Sequence, residues 1–237
     1  MLIEGKNAIS EILGSEVTIE KILIAKNTTD NVFISKIKSA GVRYQFVDKL
    51  ALDKLSQTRN HQGFIAFTSD YKYHDLDAVL ASLRNKENAT LLLLDGVEDP
   101  HNLGNIIRTA ECMGVDAVII PKNRSVGVNE TVARVSMGAI THMKVCKVTN
   151  LNPIIENLKK SHNFWIYGAD MNGKNVSQVN LEGRVAIVMG GEDSGVSHLT
   201  KKLCDEIISI PMHGKVNSLN VANATAMVLY EIGRQRN

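Results

Sequence analysis

The chain has 237 residues, enough for one large domain or two modest ones with real cores. Apolar residues make up 44% and charged residues 22%, the balance of an ordinary globular protein. The net charge of +2 neither demands nor excludes a nucleic-acid partner, because a basic patch can sit on one face of a balanced protein. No apolar run is long enough to span a bilayer, and the start Met1-Leu2-Ile3-Glu4-Gly5-Lys6 lacks the basic-then-apolar order of a signal peptide. A cytoplasmic protein with no membrane partner is expected.

Strand-like and helix-like segments alternate along the chain. A helix is predicted over 6–13, a strand over 19–25 and a helix over 31–39 stopped by Gly41. A strand over 43–47, a helix over 51–56 and a strand over 63–68 complete a compact N-terminal α/β unit, residues 1–70. Residues 71–89 are polar, carry one short helix over 76–83, and read as a connector. From Thr90 the pattern is stricter. Leu91-Leu92-Leu93-Leu94 is a continuous apolar run, as expected of a strand covered on both faces. Helices follow over 103–113, 130–140, 154–160, 198–204 and 219–234, with strands over 117–120, 144–148, 164–167, 185–189 and 207–210. Asn152-Pro153 opens the third of these helices, with Pro in a favoured first-turn position. This alternation predicts an α/β fold, a largely parallel sheet between helices over 90–237, with ligands collecting at the carboxyl ends of its strands.

Cys112, Cys146 and Cys204 are far apart and form no C-x-x-C pair, so they read as buried reduced thiols. No ligand cluster suggests zinc or any other metal.

Three polar, glycine-containing loops follow strands of the 90–237 sheet. The first, Asp95-Gly96-Val97-Glu98-Asp99-Pro100-His101-Asn102-Leu103-Gly104-Asn105, runs into a helix carrying Arg108. Asn102 sits where a helix N-cap would, and the loop sends a carboxylate, an amide and a guanidinium toward one strand end. The second is Met189-Gly190-Gly191-Glu192-Asp193-Ser194-Gly195, whose glycines allow close backbone approach to a ligand, with Ser194 or Ser197 as the next helix cap. It is not the G-x-G-x-x-G fingerprint and lies late in the chain, which disfavours a dinucleotide-dependent enzyme. The third, residues 210–220, contains His213, read singly as a surface histidine, and offers Asn217 or Ser218 as cap of a final helix rich in small residues. Each loop has a plain structural explanation alone; three on one edge of one sheet point to an active site.

These residues resemble the SPOUT superfamily, specifically its RNA ribose 2′-O-methyltransferases of the TrmH/RlmB type. The stretches from Leu94 to Ala110, from Val188 to Val196, and Ile210-Pro211-Met212 through Ser218-Leu219-Asn220-Val221-Ala222 are similar to the family's three motifs, in the family's order. His61-Gln62-Gly63 before an apolar strand resembles the end of the N-terminal substrate-binding domain of the rRNA-modifying branch. The resemblance implies a C-terminal trefoil knot, S-adenosylmethionine held bent by the knot loops, RNA as substrate, and a homodimer whose site draws residues from both subunits. By motif position, Gly190, Gly191, Ile210, Met212 and Leu219 are cofactor-binding candidates, and Asn102, Arg108, Glu192, Ser218 and Asn220 are catalytic or substrate-binding candidates. Where several relatives carry Ser two positions beyond the third-motif Asn, this chain has Ala222; a hydroxyl there is either dispensable or replaced by Ser218 or Asn217.

The implied reaction is methylation of a ribose 2′-hydroxyl, most simply a guanosine of large-subunit (23S) rRNA, with tRNA as the alternative. It requires the hydroxyl to be positioned, its proton removed and water excluded. An arginine matching Arg108 is the family's usual candidate for proton removal, but arginine rarely gives up its proton. Arg108 is therefore expected to hold phosphate and polarise the hydroxyl, with the proton leaving to phosphate, Glu192 or water. Lys6, Asn7, Lys26, Arg59 and His61 are candidate RNA contacts in the N-terminal unit. The rival reading is a non-catalytic RNA-binding module, against which the intact Asn102, Arg108, Glu192 and Ser218 argue.

Overall fold

The computed structural model of the chain describes residues 1–13, 17–56, 60–192, 195–216 and 218–236. Arg59, Asp193, Ser194 and Asn217, all singled out above, lie outside the described residues.

The chain forms two compact units, Met1–Lys72 with Val128–His142, and Tyr73–Gly127 with Met143–Asn237. In the first, β1 (Leu2–Glu4), β4 (Phe64–Thr68), β2 (Ile19–Ala25) and β3 (Tyr44–Val47) form a sheet in the order β1-β4-β2-β3, parallel only between β2 and β3. Strand β1 was not foreseen, being only three residues long. The helices are α1 (Lys6–Ile12), α2 (Asn31–Ser39) and α3 (Lys49–Leu55). Phe33 of α2 meets Phe64 of β4 edge-on at 4.8 Å, within a core that includes Ile9, Ile22, Ile24 and Ile37.

Three of the candidate RNA contacts of this unit have side-chain partners within it. His61 is 3% exposed. Its Nδ1 accepts the Gly63 N–H at 3.0 Å, which leaves Nε2 to donate to Asp53 at 3.0 Å. The imidazole thus holds the turn into β4 and is not presented to a partner. Lys6 is bonded to Asp30, and Lys26 lies 3.0 Å from Asp48. Asn7 alone of the described candidates is exposed without such a pairing.

Unit boundaries also differ from the sequence reading. From Tyr73 on, the expected connector belongs to the second unit: His74 bridges to Cys146, Asp75 caps α4 (Leu76–Ser82) by accepting from Ala78 N at 2.9 Å, and Val79, Leu80 and Leu83 are buried in that unit's core. Polar segments flank an amphipathic helix here. The helix expected over 130–140 is instead α6 (Glu130–Val135), followed by left-handed Met137 and Gly138 and a 3-10 turn, Ala139–Thr141. It joins the first unit, where Glu130 accepts the Leu2 N–H at 2.7 Å.

The second unit is a six-stranded, fully parallel sheet, in the order β10 (Glu206–Ser209), β8 (Trp165–Asn175), β9 (Arg184–Gly190), β5 (Ala89–Asp95), β6 (Ala117–Pro121), β7 (Val145–Val148). Leu91 and Leu93 of β5 face α4 and α7 (Leu151–His162). Alternation along the strand turns Thr90, Leu92 and Leu94 to the other face. There α5 (Pro100–Cys112) packs against α9 (Val221–Arg236), and Arg236 donates to Thr90 Oγ1 at 2.7 Å. Every residue of β5 is buried, as its unbroken apolar run requires. No helix among the described residues is long and apolar enough to cross a membrane.

Cys112 is exposed on α5, contrary to expectation, because it falls on the helix's outer stripe. Burial raises the Cys146 and Cys204 thiols to about 11. Both should therefore resist iodoacetamide near pH 8 in the folded protein, and all three cysteines should alkylate once guanidinium unfolds it. Mass spectrometry of the labelled peptides checks this, and native labelling of Cys146 would contradict the packing.

Candidate active site

Strands β5 and β9 lie side by side, with Asp95 level with Gly190. The chain leaves β5 toward β6 and leaves β9 in the opposite direction, toward β10. Such a switch point opens a crevice at the carboxyl ends of the strands. Asp95, 9% exposed, holds it together: its carbonyl accepts the Gly191 N–H at 2.9 Å, and its carboxylate accepts the Ser197 N–H at 2.9 Å. Ser197 is in turn the N-cap of α8 (His198–Leu203), accepting from Thr200 N. A Cβ at Gly191 would lie 2.0 Å from the Gly96 carbonyl oxygen, and one at Gly190 would lie 1.9 Å from Gly195 C. Backbone packs on backbone at both positions, which only glycine allows.

A cavity of about 310 Å³ opens beside this junction, near the lower end of the range for small-molecule sites. The cofactor-binding candidates Gly190, Gly191, Ile210, Met212 and Leu219 all line it, as do Glu192 and Ser218. Its walls come from the middle of β8, the ends of β9 and β10, Ile210, Met212, Ser218 and Leu219 beyond β10, and Val221, Ala224 and Val228 of α9. Two further polar residues of the wall, Asp170 and Ser209, are not among the sequence candidates. Ile207 of β10 pairs with Gly168 and Ile208 with Lys174, so residues 169–173 are taken up at a shift in register that puts Ala169, Asp170 and Met171 on the cavity. The predicted strand stopped at residue 167, since the polar run after it has no strand period. Asp170 is bonded to Lys201, and that hydrogen bond, ahead of the counteracting burial, lowers its pKa below the usual carboxylate value.

Next to the cavity, three candidates form a line of hydrogen bonds. Asn220 Nδ2 donates to Asn102 Oδ1 at 2.9 Å, and Asn102 Nδ2 donates to Glu192 Oε1. Asn102 is not a helix cap. Asp99 caps α5 by accepting from His101 N, and Pro100 occupies the first turn, so the helix begins three residues earlier than predicted. Asn102 is thereby placed inside the helix, 6% exposed, with its amide free to bridge two loops. Asn220 itself caps α9: its Oδ1 accepts from Ala222 N at 2.9 Å. Ser218, the described one of the two predicted caps, does not take that role.

Arg108 stands apart. It is exposed, six residues along α5 from Asn102 and hence on a different face, and among the described residues it has no hydrogen bond or ion pair. Glu192 is bonded to Asn102 and not to Arg108. Among the described residues no group of His, Cys, Asp and Glu could hold a metal ion.

The family model for the SpoU rRNA methylase family matches residues 89–230, and that for RNA 2′-O ribose methyltransferase substrate binding matches residues 2–74. The chain belongs to the SpoU methylase family, the RNA ribose 2′-O-methyltransferases of tRNA/rRNA type. It is 43% identical over 242 residues to a TrmH family tRNA/rRNA methyltransferase of Staphylococcus saprophyticus, covering 100% of this chain and 96% of that protein. It is 39% identical over 239 residues to the Bacillus subtilis TrmH family tRNA/rRNA methyltransferase YacO, covering 98% and 95%. Its fold is that of the SpoU methyltransferase AviRb of Streptomyces viridochromogenes, solved in complex with AdoMet, with a TM-score of 0.85, 23% identity, and 100% and 90% of the two chains covered.

Gly191→Ala should cost about 3 kcal/mol and lower the melting temperature by roughly 6–12 °C, the upper range for overpacking. Gly214→Ala, whose Cβ would meet nothing within 4 Å, is the control and should melt with the wild type in a thermal scan.

Proposed function

We propose that this protein transfers the methyl group of S-adenosylmethionine to a ribose 2′-hydroxyl of RNA, with a guanosine of large-subunit 23S rRNA as its substrate, in the cytoplasm. The observation that carries the reading is the joining of the cavity to the Asn220–Asn102–Glu192 line at one sheet edge, in a chain of this family. The N-terminal match to a substrate-binding domain supports RNA selection by the first unit, and the match to the rRNA methylase family supports the rRNA assignment.

The cavity suits the cofactor. Ile208, Ile210, Leu219 and Val228 offer apolar walls for a purine, Asp170 offers a carboxylate for ribose hydroxyls, and Glu192 offers one toward positive charge. When bound there, the cofactor supplies an electrophilic methyl group. Gly190 and Gly191 would let the backbone approach it closely, with Met212 and Leu219 closing over it.

The protein's own contribution is positioning and proton handling. Asn102 and Asn220 hold each other and Glu192 in one orientation, so that the carboxylate is fixed as an acceptor for the 2′-hydroxyl proton. Ser218, on the cavity wall, adds a hydroxyl able to orient the ribose. Arg108 fits a phosphate-holding role in a homodimer. His101, Asn105 and Arg108 form one exposed stripe of α5, a face open to pairing with a second chain. The knotted path implied by the resemblance is supported by the strand order: the chain leaving β9 passes β8 to reach β10, then returns as α9 to pack on α5 and β9.

The direct test is to map ribose methylation by resistance to alkaline cleavage in RNA from a deletion strain. One guanosine of 23S rRNA should lose its methyl group and regain it when the purified protein and S-adenosylmethionine are added; loss at a tRNA position would move the substrate assignment.

Single-turnover assays should show Arg108→Ala and Asn102→Ala each slowed about 10²-fold or more, with cofactor affinity changed less than about threefold. Near-normal transfer by both Arg108→Ala and Arg108→Lys would remove Arg108 from the mechanism.

A further inference from the structure

We propose that Lys122 and Arg124, on the loop leaving β6, grip the phosphodiester backbone of the RNA next to the reacting ribose. The inference rests on the methyltransferase reading above and adds a binding site to it.

The strand registers place this loop. Asp95 of β5 is level with Gly190 of β9, and Leu93 pairs with Ile119 of β6, which puts Pro121 level with Asp95. Neighbouring strands are about 4.8 Å apart, so β6 ends roughly 5 Å from the first motif loop and about 10 Å from the second. The loop is tied at both ends. Lys122 N donates to Val148 O of β7 at 2.7 Å, and Val126 N donates to Val97 O of the first motif loop at 3.0 Å. Its position is thus set by the same backbone that leads into Asn102.

Between these ties, Lys122, Asn123 and Arg124 are exposed. Neither cation has a hydrogen-bond or ion-pair partner among the described residues, although Glu98 and Asp99 occupy the adjoining loop. Asp99 is committed to capping α5. Lys86, Lys159, Lys160 and Lys201 of the same unit pair with carboxylates, while Arg84, Lys202 and Lys215 are exposed with no such partner among the described residues; Lys122 and Arg124 differ from these in being fixed at the sheet edge beside the first motif loop. Arg124 also holds a left-handed φ of 52°, a conformation a long side chain adopts at a cost and one that recurs at ligand clamps. Two unneutralised cations on a fixed loop, at the edge where a ribose must be presented, suit a chain of phosphates and not a small neutral ligand.

The test uses the full chain with charge removed and loop shape kept. Lys122→Gln/Arg124→Asn does this, since Asn tolerates the left-handed region. Lys160→Gln on α7 is the control for charge loss away from the edge. Binding to bulk 23S rRNA and bulk tRNA is measured between about 50 and 200 mM salt, with circular dichroism and calorimetric S-adenosylmethionine affinity as checks on the fold. The double variant should bind RNA about tenfold more weakly at 150 mM salt, with the slope of log K against log salt shallower by about 1.4, while cofactor affinity stays at the wild-type value. Its methylation should show a raised KM for RNA and a kcat within about twofold of wild type. RNA affinity and salt slope equal to those of Lys160→Gln would overturn the proposal. A wild-type protein that binds RNA but never methylates it would refute the methyltransferase reading and leave the binding comparison valid.

Discussion

Asp95 joins the two strands on which the site depends. Its carbonyl and its carboxylate each take a backbone N–H from the chain beyond β9, so the first and second motif loops cannot separate without exposing buried polar groups. The contact is close enough that Gly191 meets the Gly96 carbonyl with no room for a side chain. From this junction follow both halves of the site. On one side β9 turns away to let β8 and β10 wall the cavity. On the other, β5 runs into α5 and delivers Asn102.

Asn220 shows how the third loop is held in the same frame. One end of its side chain caps α9, and the other donates to Asn102. Because α9 packs against α5 and its far end is anchored through Arg236 to Thr90 and the Gly183 carbonyl, the cap that starts α9 also sets the spacing between Asn102 and the cavity wall at Leu219. Glu192 is then fixed by Asn102 from the opposite side. An amide between a carboxylate and another amide has both its oxygen and its nitrogen committed, so the orientation of Asn102 is determined by its partners.

Much of this is legible in the sequence, for physical reasons that differ by region. The sheet strands β5, β6 and β9 are buried on both faces, and their apolar runs announce them directly. The loops announce themselves by breaking that pattern with glycine, asparagine and acid. What stays hidden depends on tertiary contact. Asn102 looks like a helix cap because its residue type favours caps, and only the stronger Asp99-Pro100 start displaces it into the helix. Asp170 looks like loop because the register shift that brings it to the cavity is a property of the β8–β10 pair and not of either strand. His61 looks available because an isolated histidine carries no sign of the Asp53 carboxylate and Gly63 N–H that occupy it. The unit boundary is hidden for the same reason: residues 128–142 follow the second unit's β6 in sequence, yet Glu130 is bonded to the backbone of Leu2. The first unit is therefore not a segment that can be cut away at residue 70.

The division of charge along the sheet edge follows from the same geometry. Near the cavity the carboxylates are fixed, Asp95 by backbone donors, Glu192 by Asn102 and Asp170 by Lys201. Farther along, on the loop leaving β6, the cations Lys122 and Arg124 are exposed and have no partner among the described residues. A polyanion approaching this edge meets attraction on the β6 side and repulsion on the cavity side. A cationic small molecule experiences the reverse. That gradient separates the two ligands before any specific contact forms. On the proposed function it would favour the cofactor beside β9 and β10 and the RNA backbone beside β5 and β6, with the Asn102–Glu192 pair between them.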